Sequence, residues 1–182
     1  MGRPKALVEV DGEPLVRRAL RALADGGCAP VVVVLGAAAE SVRQLLPADA
    51  HVVEAADWEE GMGATLRAGL ASLDSLSPTP EAALVHLVDL PGVTGAAIAR
   101  LRADAGPDAL RRPTYAGVPG HPVLIGRSHW PGVTAVATGD RGARAYLADH
   151  PQLELVDCTD LANGTDLDTP EQLALWAHTR RP

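Results

Sequence analysis

The stretch Ala82-Ala83-Leu84-Val85-His86-Leu87-Val88-Asp89-Leu90-Pro91 decides how the rest of the chain is read. Its first seven residues are almost all apolar, too few for a membrane span, and Pro80 bounds them upstream. A run of that length fits a strand buried on both faces of a parallel sheet. It ends on a carboxylate, Asp89, and Pro91 stops it two residues later. Ligands of open α/β sheets gather at the carboxyl ends of strands, so Asp89 is a candidate metal ligand. The plainer alternative is a cap or turn former.

Outward from this segment, apolar runs alternate with helical periodicity. Ala6–Val10 is a short apolar stretch, followed by the turn Asp11-Gly12-Glu13. Pro14 suits a first helical position, and Leu15, Val16, Ala19, Leu20 and Leu23 recur at helical spacing until Gly26-Gly27. Val31–Leu35 and His51–Val53 read as strands, with a helix through Val42 and Leu45 between them. Met62, Leu66, Leu70 and Leu73 share one helix face, and Thr94 is placed to cap a helix that buries Ile98 and Leu101. Downstream, Arg112–Ala116, His121–Ile125 and Leu153–Val156 read as strands, and Asp140 is placed to cap a short helix carrying Ala143, Tyr146 and Leu147. Thr169-Pro170-Glu171-Gln172 has the form of a capping box. This alternation predicts one three-layer α/β domain over residues 1–182, with a mainly parallel sheet.

Composition narrows the function classes. The chain has 182 residues, 47% hydrophobic and 21% charged, as in ordinary globular domains. No apolar run approaches the roughly 20 residues of a membrane helix, and no apolar signal segment follows Met1-Gly2-Arg3-Pro4-Lys5, so a cytoplasmic protein is expected. A net charge of −7 and 3% aromatics disfavour nucleic acid as a partner. Cys28 and Cys158 stand alone, without zinc-site or disulfide spacing. Neither a Gly-x-x-x-x-Gly-Lys phosphate loop, a Gly-x-Gly-x-x-Gly turn nor a Gly-x-Ser-x-Gly elbow occurs. What remains is carboxylates at strand ends. Asp166 and Asp168, just before the last helix, could join Asp89 around a hard cation such as Mg²⁺, although helix capping explains one of them equally well. Lys5 is a candidate phosphate-binding cation, and Gly117, Gly120 and His121 form a loop whose backbone can approach a ligand.

Six stretches, taken in order, resemble one family. They are Met1–Leu7 with Asp11–Leu15, Trp58–Leu70, Val88–Pro91, Pro119–Val123, Gly139–Arg144 and Asp166–Glu171. Together the chain is identified as MobA-like, resembling the molybdenum-cofactor nucleotidyltransferases and most closely their cytidylyltransferase branch. The resemblance implies a glycosyltransferase-A-like, Rossmann-related sheet. It also implies transfer of a nucleotidyl group, most naturally CMP from CTP (or GMP from GTP), to molybdopterin with release of pyrophosphate. Asp89 with Asp168 or Asp166 would hold Mg²⁺, and Lys5 would contact the triphosphate. Gly61, Met62, Gly63 and Thr65 would line the nucleotide pocket, and Gly120 and His121 would face the acceptor. Another small phosphorylated acceptor, or a non-catalytic domain that binds a molybdoenzyme or its maturation factor, are the alternatives.

Val88, Leu90 and Gly63-Ala64 depart from the family's usual residues. The family also normally begins with a buried strand and a Leu-Ala-Ala-Gly-x-x-x-Arg loop running into Met-Gly-x-x-Lys, whereas this sequence starts on that methionine. Three or four large apolar side chains on such a strand contribute roughly 5–12 kcal/mol. The natural chain is therefore expected to extend about twenty residues upstream, the length of a strand plus a loop. The 182 residues alone are expected to bind nucleotide poorly.

Overall fold

The computed structural model describes residues 4–179, so Met1, Gly2 and Arg3 of the opening motif lie outside the described residues. A tight hairpin, β1 (Glu9–Val10) and β2 (Glu13–Pro14), leads into α1 (Leu15–Asp25). β3 (Val32–Leu35), α2 (Ala39–Arg43) and β4 (His51–Glu54) follow, then α3 (Met62–Asp74) and β5 (Ala82–Val85). After α4 (Gly95–Arg102) come β6 (Leu110–Tyr115), β7 (Val118–Pro119) and β8 (Val123–Gly126). α5 (Trp130–Val136), α6 (Arg144–Leu147), β9 (Glu154–Asp157) and α7 (Pro170–Thr179) complete the chain.

β3 and β4 pair in parallel, with Val33 opposite Val52. In the larger sheet β8 runs antiparallel to both β5 and β6, while β6 and β9 are parallel. β5, β6 and β9 therefore share one direction while β7 and β8 oppose them, giving a mixed sheet in which most strands run the same way. Helices cover both faces, because alternate residues of a strand point to opposite sides. Ala83 and Val85 join a cluster with Leu70, Leu110, Ile125 and Val133, under α3 and α5. Leu84 packs on the other side with Ala22, Leu90, Val93 and Ile98, under α1 and α4. This is the expected three-layer α/β arrangement.

Local signals hold at several joints. The Thr94 hydroxyl accepts a hydrogen bond from the Ala97 amide at 3.2 Å. At α7 the capping box is reciprocal: Gln172 N–H donates to Thr169 Oγ1 at 3.2 Å, and Thr169 N–H donates to Gln172 Oε1 at 2.8 Å. Two expectations shift. Pro14 is the residue before α1 rather than its first position. Asp140 lies inside a short 3₁₀ turn, Gly139–Arg141, and α6 starts after Ala143 with no side-chain cap.

The buried strand is also shorter than its apolar run. β5 ends at Val85, opposite Val123, where its pairing with β8 stops. Residues 86–90 continue as a loop that carries Asp89 beyond the strand end. Val32, Val33 and Val34 of β3 and Ala82, Leu84 and Val85 of β5 are only half-buried. Among the described residues β3 pairs only with β4, and β5 only with β8. The apolar edges of these two strands thus flank an open gap rather than a neighbour.

No helix among the described residues is long and apolar enough to cross a membrane. Ile125 lies at the centre of the core with no exposed surface. Replacing Ile125 by Ala is expected to cost about 2–5 kcal/mol in urea unfolding, with an unchanged m value; a loss under 1 kcal/mol would show that β8 is not central to the core.

Candidate active site

Three loops meet at the end of β5. Leu167 N–H donates to the Asp89 carbonyl at 2.9 Å, and Leu167 is buried against Val8, Val10 and Leu15. This apolar anchor brings the 166–168 segment beside the 86–90 loop. Lys5, on the 3₁₀ turn Lys5–Leu7, projects into the junction. Its Nζ donates to Asp89 Oδ2 at 2.7 Å and also to Asp168 Oδ1. Thr169 and Gln172 satisfy the α7 terminus, so neither Asp166 nor Asp168 is needed as its cap.

Burial pulls the Lys5 ammonium down, but the hydrogen bonds and charges of Asp168 and Asp89 outweigh it and leave its pKa raised. The Lys5 hydrogen bond holds the Asp168 carboxyl below the usual range, against the opposing effect of burial, with Asp166 lowering it further. Asp89 is the more enclosed partner, 17% exposed, and its Oδ1 is buried without a hydrogen-bond partner. An orphaned carboxylate oxygen beside a second carboxylate has the donor chemistry of a hard divalent cation, which takes one or two carboxylates plus phosphate oxygens. Asp166 does not complete a cage: no three carboxylate, imidazole or thiol groups among the described residues converge closely enough to hold a metal. The fit is to a two-carboxylate site, Asp89 with Asp168.

The junction opens into a cleft of about 980 Å³ that runs between β3 and β5 beneath α3. Lys5, Asp89, Asp166, Asp168, Gly120 and His121 all line it, as do Met62 and Thr65. Gly61 and Gly63 do not face it. A Cβ on Gly63 would lie 2.7 Å from the backbone of Ala137 and Thr138, and one on Gly61 would lie 2.5 Å from Asp140 Oδ1. Gly61 also holds φ +108°, which an L side chain rarely adopts. These glycines let the start of α3 press against the 137–140 segment, and the pocket residues are the side chains between and after them.

The cleft also contains groups that sequence reasoning passed over. Arg112, on β6, and Arg144, at the start of α6, line it. Burial, and then the neighbouring Arg144, lowers the Arg112 pKa. Arg112 Nε donates to the Gly120 carbonyl at 3.1 Å, and Tyr115 Oη to the His121 carbonyl at 2.8 Å, which fixes the β6–β7 hairpin loop against the wall. His86, just beyond β5, is driven down to about 4 by burial and then by His121; His121 is lowered by burial and then by Arg112. The signal for His86 was available in the sequence, as the one polar residue inside an apolar run.

A family model described as a MobA-like NTP transferase domain matches residues 1–154. The chain is 36% identical, over 183 aligned positions, to nicotine blue oxidoreductase of Paenarthrobacter nicotinovorans, covering 95% of this chain and 88% of that protein. It superposes on the crystal structure of Rv0371c from Mycobacterium tuberculosis H37Rv with a TM-score of 0.79 and 26% identity, covering 98% of this chain and 90% of that one. A structure of Rv0371c in complex with manganese gives a TM-score of 0.75 and 25% identity, covering 97% and 93%.

The buried His86 predicts a pH dependence. Its folded pKa is about 4 against the ordinary 6.5 of a solvated imidazole, so between those values the unfolded chain binds a proton that the folded chain refuses. Stability is expected to fall by up to roughly 3 kcal/mol as pH drops through that window. In thermal unfolding, His86→Asn should flatten the profile there; an unaltered slope would remove His86 as its source.

Proposed function

Since the chain belongs to the family of MobA-like NTP transferase domains and is a nucleotidyltransferase, we propose that it transfers CMP from CTP to molybdopterin in the cytoplasm, with Mg²⁺ and release of pyrophosphate. The observation that carries this reading is the Lys5 ammonium clasped by Asp89 and Asp168 at the mouth of an arginine-bearing cleft. GTP is the alternative donor.

The chemistry is an in-line displacement. A terminal phosphate oxygen of the acceptor forms a bond to the α-phosphorus of the nucleotide, and the bond from that phosphorus to the bridging oxygen of the β-phosphate breaks, releasing pyrophosphate. No protein nucleophile is required, and positioning and charge neutralisation do most of the work. Asp89 and Asp168 would hold the divalent cation, which when bound supplies neutralisation of phosphate oxygens. Lys5 turns from its carboxylates to the triphosphate, Arg112 and Arg144 add fixed positive charge, and Met62 and Thr65 contact the nucleotide. The Gly120-His121 loop faces the acceptor.

A second reading rests on the relative named nicotine blue oxidoreductase: oxidoreduction of a small organic substrate in the same cleft. Pyrophosphate release from CTP or GTP with molybdopterin separates the two. Under the transferase reading, Asp89→Asn is expected to lower release by about 100-fold or more, and undiminished turnover would remove Asp89 from the site. Release with another phosphorylated acceptor alone would reassign the acceptor. Absence of release with every triphosphate would favour the oxidoreductase reading or a domain that binds a molybdoenzyme or its maturation factor.

The gap between β3 and β5 supports a related proposal about domain organisation. A strand preceding residue 1 would pair with both apolar edges and join the two sheets into one domain. Amide hydrogen exchange tests this on a chain carrying its upstream reading frame. β3 and β5 amides are expected to slow by about 100-fold or more relative to the 182-residue chain, as unpaired edges become part of the cooperative core; equal exchange would rule out the added strand.

A further inference from the structure

The cleft wall carries two imidazoles whose hydrogen-bond partners the transfer reaction, as set out above, does not name. β5 and β8 are antiparallel with Val85 opposite Val123, so His86, just after one strand, and His121, just before Pro122, come to the same sheet end. Both line the cleft. Each has a buried Nδ1 with no hydrogen-bond partner. Leaving such an atom unsatisfied is costly. The cost is recovered where a ligand supplies the missing bond.

The surroundings specify that ligand. Asp89 acts electrostatically on both rings, and Arg112 and Arg144 act on His121. The pair therefore stands between the carboxylate end of the cleft and its arginines. Burial keeps both rings neutral at neutral pH. The Val85 backbone favours a ring N–H of His121 on its side, and Nδ1, the buried atom without a partner, is then left to accept. An acceptor beside a second neutral imidazole, with guanidinium charge behind, matches a group that has both a hydroxyl and anionic oxygens. A singly protonated phosphate monoester is such a group.

We propose that His86 and His121 together seat the terminal phosphate of the acceptor, His121 Nδ1 accepting from its hydroxyl and His86 Nδ1 donating to an oxygen. This rests on the nucleotidyl-transfer reading and names the residues that position its nucleophile. Neutral imidazoles suit that task. They orient the phosphate without the full ion pair that would quench its attacking oxygen, while the arginines offset its charge from further away. The pair is a positioning device, distinct from the Lys5 and Asp89 end that holds the triphosphate.

Methyl phosphate is the probe, and CTP with Mg²⁺ is the control, both measured by calorimetry. His86→Phe keeps the ring's bulk but removes its nitrogens, whereas His86→Asn keeps a polar atom near the Nδ1 position. His86→Phe is expected to weaken methyl phosphate about tenfold and His86→Asn by much less, with CTP affinity unchanged in both. Equal methyl phosphate affinity in His86→Phe would overturn the proposal. So would a parallel loss of CTP affinity, or displacement of methyl phosphate by CTP, since either would make the pair part of the triphosphate site. The unaltered protein supplies a second readout: the imidazole ¹⁵N resonances of His86 and His121 should move on adding methyl phosphate, and no movement overturns the assignment. Binding is read without turnover, so failure of nucleotidyl transfer would leave a positive result here standing.

Discussion

The site depends on one cation shared by two carboxylates. Asp89 and Asp168 belong to distant parts of the chain and carry like charge, so bringing them together is unfavourable unless something lies between. Lys5 supplies that charge from a third segment. The backbone bond from Leu167 to Asp89, with Leu167 buried beside Val8, Val10 and Leu15, holds the three segments in register. Because the Lys5 pKa is raised and that of Asp168 lowered, both stay ionised across the neutral range. A divalent cation with a triphosphate would present the same kind of positive charge to the carboxylates and an anionic partner to Lys5. The clasp thus has the character of a site whose charges are balanced internally until substrate exchanges the partners.

The open cleft has a different origin. A strand that is apolar on both faces gains most when helices cover the faces and strands cover the edges. β5 has its faces covered, by α3 and α5 on one side and α1 and α4 on the other, yet one edge is left unpaired. β3 stands in the same position across the gap. Half-exposed valines in an all-apolar strand are the direct consequence. The same gap gives the cleft its depth, so the walls that would contact substrate and the edges that would accept a strand are partly the same surface.

Much of the architecture was legible because the signals were local. The Thr94 cap, the Thr169–Gln172 capping box and the helical face from Met62 to Leu73 need only neighbouring residues, and each is found as read. The end of β5 was not legible from its own residues: the apolar run continues to Val88, but the strand stops at Val85, where its pairing with the distant β8 ends. Asp89, Asp166, Asp168 and Lys5 were legible as a set because carboxylates at strand ends and a lysine near the start suggest one chemistry. Their division of labour was not, since Asp166 adjoins Asp168 without closing a three-carboxylate cage. Arg144 closes the Gly139–Arg144 stretch and Arg112 opens a strand in the sequence, but neither signals a place in the cleft, because a guanidinium on a strand or helix is ordinarily surface and only the folded hairpin and the 140s turn bring both there.

Gly63 shows how a small departure from the family's residues can be structural rather than chemical. A side chain there would collide with the backbone of Ala137 and Thr138 at 2.7 Å, and Arg67, one turn on, donates to the Ala137 carbonyl at 2.6 Å. The start of α3 is thereby pressed onto the segment leading to Asp140, Arg141 and Arg144. A serine at position 63 would gain a hydroxyl but force that segment outward, and Arg144 with it. Close contact is exchanged for a possible ligand contact, and the positive charge it places in the cleft stands out on a chain whose net charge is −7. The cleft lining balances Lys5, Arg102, Arg112, Arg141 and Arg144 against Glu81, Asp89, Asp140, Asp166 and Asp168, so it is less acidic than the chain as a whole. The packing of two glycines is therefore part of how the segment carrying Arg141 and Arg144 is set against the cleft.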